Sequence, residues 1–183
     1  MSDVLTPDEE RVLLDLARRA IEHYFETGEH LQADVKDPKL EEKRGAFVTL
    51  KVEGELRGCI GYPLPYKPLA ETIVEMAVAA ASQDFRFEPL TPGELAGTRI
   101  EISVLSLPEP VKDPKEVEVG RHGIVVAKGF NRGLLLPQVP LEYHWDRETY
   151  LRHGCLKAGL GPDEWKKGAK IEVFTAQIFS EPE

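Results

Sequence analysis

The chain has little from which to build a covalent or metal framework. It holds two cysteines in 183 residues, Cys59 and Cys155, and two thiols cannot make a disulfide scaffold. No C-x-x-C or H-x-x-x-H spacing occurs, and His23, His30, His122, His144 and His153 are scattered. The tightly paired ligands of a structural zinc site are therefore missing, and no metal is expected. No phosphate-binding P-loop, dinucleotide glycine fingerprint or G-x-S-x-G elbow is present, and no cofactor is expected. No apolar run approaches the roughly 18 residues of a membrane-spanning helix. The N-terminal stretch is acidic and amphipathic, unlike a secretory signal, so the expected location is cytoplasmic. Positive charge is also short: 23 Lys and Arg stand against 32 Asp and Glu, a net of −9. A phosphate backbone is repelled on average, and no nucleic-acid partner is expected.

What remains is globular. Apolar residues make up 42%, aromatics 8%, and the mean hydropathy is −0.30, which excludes a disordered chain, a collagen or a coiled coil. The length suits one domain over residues 1–183, or two small lobes sharing a core. One asparagine (Asn131) and two methionines accompany 14 prolines and 30% charged residues. That depletion of thermolabile residues fits a thermophile, and ordinary sampling in a short chain fits it as well.

The spacing predicts a first helix over Thr6–Glu26, with Thr6 as cap, Pro7 at its first position and an apolar face of Val12, Leu13, Leu16, Ala20, Ile21, Tyr24 and Phe25. GAFVTL (45–50) and LRGCIG (56–61) flank a turn at Glu53-Gly54 and read as a β-hairpin. The alanine-rich stretch Leu69–Ser82 reads as a helix and Arg99–Leu107 as a half-buried strand. The order then recurs. Gly123–Ala127 and Gly133–Pro137 form a second hairpin turning at Lys128-Gly129, Arg147–Leu156 a helix capped by Asp146, and Lys170–Phe179 a final strand. Arg57-Gly58-Cys59-Ile60 stands where Arg132-Gly133-Leu134-Leu135 stands in the second half. Residues 45–107 and 123–179 therefore read as an internal repeat. The class is α+β, with two related hairpin-helix-strand halves sharing one barrel-like, mainly antiparallel sheet and helices packed outside.

Chemistry is concentrated in LRGCIG. Glycine inside a strand marks a bulge or a close backbone approach, and Gly58 and Gly61 can leave space around the Cys59 sulfur. In a regular strand Arg57 and Cys59 share a face, and the guanidinium can lower the thiol pKa. Cys59 then reads as a nucleophile or redox thiol; as a small buried apolar residue it needs no chemistry. A nucleophile requires a base, and His122, at the start of the second hairpin, is the candidate, with His144 and His153 behind it. Arg86, between Phe85 and Phe87, suits a carboxylate or phosphate ligand, or an internal clamp with Asp84. Gln138 offers an amide for hydrogen bonding.

The chain resembles the AMMECR-type domain family. The resemblance is carried by GAFVTL, LRGCIG, the alanine-rich helix leading to DFRF (84–87), IEISVLS (100–106), GRHGIVV (120–126), LLLPQV (134–139) and CLKAGL (155–160). One position departs: family members commonly carry proline where Phe85 stands. The resemblance implies two related halves around a barrel-like sheet, a cleft near the hexapeptide, and association with Memo-type and radical-SAM proteins. This chain has no radical-SAM cysteine triplet.

Two functions follow as expectations. One is an accessory or small-molecule- or partner-binding protein acting with Memo-type or radical-SAM modification enzymes. The other is an enzyme using Cys59 on an anionic small substrate, with His122 as base and Arg57, Gly58, Gly61, Arg86 and Gln138 shaping the site.

Overall fold

The computed structural model describes residues 4–183. In chain order the elements are α1 (Pro7–Thr27), β1 (Ala46–Val52), β2 (Glu55–Tyr62), α2 (Leu69–Ser82), β3 (Thr98–Leu105), β4 (Glu109–Pro110), β5 (Gly123–Lys128), β6 (Asn131–Leu135), α3 (Val139–Glu142), α4 (Arg147–Lys157), β7 (Lys170–Phe174) and β8 (Ala176–Ser180). They form two compact units: the chain up to Leu105 together with Gln177–Glu183, and Ser106–Ala176.

The first unit starts with a fully capped helix. The Thr6 hydroxyl accepts from the Glu9 N–H, and the Glu9 carboxylate accepts from the Thr6 N–H. Such a reciprocal cap is worth about 1 kcal/mol. Leu13, Leu16, Ala17, Ala20 and Ile21 are buried, whereas Val12, expected on that face, is exposed. Helix α2 is apolar almost all round because α1 covers one side and strands β1 and β2 the other. The first hairpin turns at Glu53 and Gly54, with φ of 52° and 80°, the two left-handed residues that match the twist of the flanking strands. The C-terminal Glu181 ties the unit together. Its carboxylate accepts from Arg18 Nε and Nη2, both at 2.7 Å, and from the Ile100 N–H at 2.9 Å.

The second unit repeats the connectivity. β5 lies between β6 and β7, as β1 lies between β2 and β3. Helix α4 starts at Asp146, whose carboxylate accepts from the Thr149 N–H at 2.8 Å. It ends with Gly159 at φ 77°, Gly159 N–H bonding Leu156 and Leu160 N–H bonding Cys155, the paired bonds of a left-handed helix stop. Tyr150 is fully buried, its hydroxyl 3.0–3.2 Å from the carbonyls of His122, Leu135 and Leu136. Burial pushes its phenol well above the usual tyrosine range. The hairpin turns at Gly129-Phe130, one residue later than the composition suggests, because Lys128 still pairs with Asn131.

The α+β class holds, but the expected single barrel-like sheet does not. There are two four-stranded sheets, β2-β1-β3-β8 and β4-β7-β5-β6, and they do not close into a barrel. Each has its own buried cluster, one around Leu13, Ile73 and Ile100, the other around Ile124, Tyr150 and Ile171. The stretch expected as one strand, Lys170–Phe179, breaks at Thr175. There the N–H donates to Ser106 Oγ and the carbonyl accepts from the Ser106 N–H, each at 2.8 Å. Those bonds take Thr175 out of the ladder, so β7 joins one sheet and β8 the other.

In each unit a glycine on the second hairpin strand lies directly under a helix end. A Cβ on Gly58 would overlap the Ala80 carbonyl of α2, and one on Gly133 would overlap the backbone at Lys157 and Ala158. Backbone cannot step aside as a side-chain tip can. Gly58→Ala and Gly133→Ala are each expected to cost at least about 2 kcal/mol, read as a lower midpoint of urea unfolding; an unchanged midpoint in either variant would remove the close approach as a constraint.

Candidate functional site

Strand β2 is the edge of its sheet, and its pairing with β1 is irregular. Val52 faces Glu55 and Lys51 faces Leu56, but Leu50 then faces Gly58. Arg57 is the extra residue of a β-bulge, which breaks the alternation of side chains. This overturns the expectation that Arg57 and Cys59 share a face. The Arg57 guanidinium turns instead to the Glu88 carbonyl (2.5 Å) and the Glu94 carboxylate (3.1 Å).

The bracketing glycines do not open space around sulfur either. Gly58 is filled by the backbone of α2, and the position a Gly61 side chain would take is filled by the Phe47 ring and the Ala46 carbonyl. Cys59 projects from the opposite face to Gly58 and is half-buried. Its cross-strand neighbour Thr49 places its hydroxyl 3.1 Å from Sγ. Thr49 in turn pairs with Glu101, whose carboxylate meets Lys51 Nζ and Ser180 Oγ, both at 3.2 Å. The outer sheet face thus carries the row Cys59, Thr49, Glu101.

An edge strand leaves main-chain groups unpaired, and the DFRF loop satisfies those of Cys59. The Cys59 N–H donates to Asp84 Oδ2 at 3.0 Å, and Arg86 Nη2 donates to the Cys59 carbonyl at 3.4 Å. Arg86 also grips Asp84 twice, from Nε at 2.9 Å and Nη2 at 2.7 Å. Of the two roles open for Arg86, the geometry is that of the clamp: the Asp84–Arg86 pair takes the place of a neighbouring strand. The Asp84 side chain is 3% exposed. Its hydrogen bonds from Arg86, then from the Cys59 and Arg86 N–H groups, outweigh burial and hold its carboxyl well below the usual range. The same pairing raises Arg86, and the nearby Cys59 sulfur adds to that rise.

His122 and Gln138 belong to the second unit. His122 Nδ1 accepts from the Glu118 N–H at 3.0 Å inside its own turn, and its carbonyl accepts from Tyr150. Burial, then Arg121, lowers its pKa, so the ring is neutral near pH 7. Gln138 is exposed at the start of α3, and its carbonyl accepts from the Leu141 and Glu142 N–H groups. Among the described residues no group of three or more His, Cys, Asp or Glu is placed to share a metal, and no helix is long and apolar enough to cross a membrane. No motif or spacing in the sequence marks Thr49 or Glu94. A hairpin register centred on Glu53-Gly54 places Cys59 opposite Val48, and only the bulge moves it to Thr49.

A two-sheet α+β protein with a capped, thiol-bearing sheet edge is the class these features define. A family model described as AMMECR1 matches residues 14–179, and the chain belongs to the AMMECR1 family. It is 50% identical to protein MK0488 of Methanopyrus kandleri, over 100% of this chain and 93% of that protein. Protein MJ0810 of Methanocaldococcus jannaschii is 47% identical over 98% and 94%. The crystal structure of the uncharacterized protein PH0010 from Pyrococcus horikoshii superposes with a TM-score of 0.74 at 44% identity, over 92% of this chain and 89% of that one. Relatives from thermophilic archaea accord with the depletion of thermolabile residues.

The depressed Asp84 carboxyl fixes a pH window. Its stabilising contribution is complete above the unfolded value of about 3.9 and is lost as pH falls through the lower folded value. Asp84→Asn is expected to cost about 2–3 kcal/mol at pH 7. The gap from wild type should stay constant from about pH 5 to 7 and narrow below about pH 4. Urea unfolding at a series of pH values checks this, and a gap that widens on acidification would contradict the clamp.

Proposed function

We propose that this is a cytoplasmic accessory protein whose β2 edge and DFRF loop form a docking surface for a modification enzyme of the Memo or radical-SAM type. The observation that carries the reading is Phe85. It is 97% exposed, yet the residues on either side, Asp84 and Arg86, are fastened to each other and to the main chain of Cys59. A large ring held outward on a rigid loop loses little conformational entropy on association, which is the property of an interface anchor. Leu56, 42% exposed, is a second apolar side chain on the same edge strand.

The internal pairing of the cations also favours docking over catalysis. Arg57 is matched by Glu94 and Arg86 by Asp84, which leaves little net positive charge to hold a small anion. Catalysis through Cys59 keeps one supporting feature, a half-buried sulfur contacted by the Thr49 hydroxyl, but among the described residues of this unit no histidine hydrogen-bonds it. We also propose that residues 45–107 and 123–179 descend from one duplicated hairpin-helix-strand unit; the matching strand orders and the placement of Gly58 and Gly133 support it.

Calorimetric titration with the Memo-type protein of the same genome tests the docking reading. Micromolar binding is expected, with Phe85→Ala weakening it at least about tenfold and Cys59→Ser leaving it within about twofold. No heat at tens of micromolar protein, or full affinity in Phe85→Ala, would sink this reading. Fast iodoacetamide labelling of Cys59 with a half-point well below about pH 8.5 would move the assignment to the thiol enzyme.

A further inference from the structure

We propose a second, separate docking groove in the first unit, shaped for an extended peptide segment that carries basic side chains between apolar ones. The groove is a cavity of about 480 Å³ between the segment 30–41 and the first turns of α2. Its apolar surface comes from Leu31, Ala33, Val35, Leu40, Ala70 and Val74.

Three observations converge on this occupant. The first is the backbone of residues 31–36. Leu31, Ala33 and Val35 are half-buried and alternate with exposed Gln32, Asp34 and Lys36, the two-residue period of a strand. Yet these residues belong to no sheet, and no hydrogen bond within the described residues engages their main chain. The segment is a strand without a ladder, lying beside an apolar groove. Main-chain pairing by an incoming extended peptide is the interaction such an edge offers.

The second is charge. The polar lining includes Glu41, Glu71 and Glu75 but no lysine or arginine. Glu75 is already matched by Lys67 Nζ at 2.5 Å and by the Tyr62 hydroxyl at 3.3 Å. Glu41 and Glu71 are exposed and form no close ion pair among the described residues, although Lys67 is near enough to Glu71 to interact with it. Exposed carboxylates on an apolar groove are complementary to lysine or arginine whose alkyl stems lie along apolar walls while their heads reach the acids.

The third is the state of the α2 N-terminus, which lies in the same wall. Its first free N–H groups are consumed internally, Leu69 by the Glu42 carbonyl at 2.8 Å and Ala70 by the Leu40 carbonyl at 2.9 Å. That leaves less of the helix end open to an anion, and the glutamates dominate the charge of the groove lining.

This groove involves none of the residues of the Cys59 edge, so the two proposals stand or fall apart. Fluorescence anisotropy of the full chain with two labelled hexapeptides tests it, one alternating leucine with lysine, the other leucine with glutamate. The basic peptide is expected to bind with a dissociation constant below about 100 µM and the acidic one at least about tenfold more weakly. The double variant Glu41→Lys, Glu71→Lys, which changes only exposed side chains, should weaken the basic peptide at least about tenfold. Amide exchange within 31–36 should slow when that peptide is bound. Equal binding of both peptides, full affinity in the double variant, or unchanged exchange at 31–36 would each overturn the proposal, as would no binding at about 1 mM.

Discussion

A missing side chain governs how each unit is put together. Where the second strand of the hairpin passes beneath the end of its helix, backbone meets backbone, and any Cβ at Gly58 or Gly133 would enter the space of Ala80 or of Lys157 and Ala158. That approach fixes the depth of the helix on the sheet. From the depth follows which residues are sealed: Ile73, Ala77 and Ala80 in one case, Tyr150, Leu151 and Cys155 in the other. Cys155 shows the consequence chemically. It is buried, burial raises its thiol pKa, and it behaves as a small apolar residue. Cys59, one position after its glycine, falls on the other face of the strand and keeps contact with the outside.

The same edge strand then has to be protected from pairing with another chain. Proteins blunt such edges with bulges and charges, and β2 uses both. Arg57 bulges out to Glu88 and Glu94, while Asp84 and Arg86 occupy the N–H and carbonyl of Cys59. Asp84 is nearly inaccessible, so its charge is tolerated only because Arg86 and two N–H groups surround it. The edge is closed to a β-strand and left open to side-chain contact through Phe85 and Leu56. Segment 31–36 has no such protection, although it is extended and half-apolar.

Local chemistry made much of this legible from residues alone. The Thr6 and Asp146 caps, the Glu53-Gly54 turn, the bounds of α2 and the inward set Ile100, Ile102 and Val104 all follow from short-range rules. The failures share a cause: each needed a partner distant in sequence. Nothing in KIEVFTAQIF announces that Ser106 takes Thr175 out of the ladder and splits the strand. The side-chain alternation around Arg57 fails because the bulge is decided by pairing with β1, not by LRGCIG itself. The choice between clamp and ligand site at Arg86 turned on Asp84 being buried, which no pattern within DFRF encodes. At the functional level, glycine-cysteine-glycine signals close packing and catalytic clearance equally well, and only the helix behind Gly58 separates them.

Charge is used in this protein chiefly against itself. Arg18 with Glu181, Arg57 with Glu94, Lys67 with Glu75 and Arg86 with Asp84 all join segments far apart or fasten a loop. Once these cations are spent internally, the surplus left over is acidic, in keeping with a net charge of −9. Such a field slows the approach of polyanions and speeds that of basic surfaces. The proposed docking role rests on an anchored, exposed phenylalanine and a strand edge without a ladder. At Cys59 the neighbouring arginines are both paired internally, Arg57 with Glu94 and Arg86 with Asp84, and that pairing is what weighs the proposed docking role against a thiol enzyme built on the same strand.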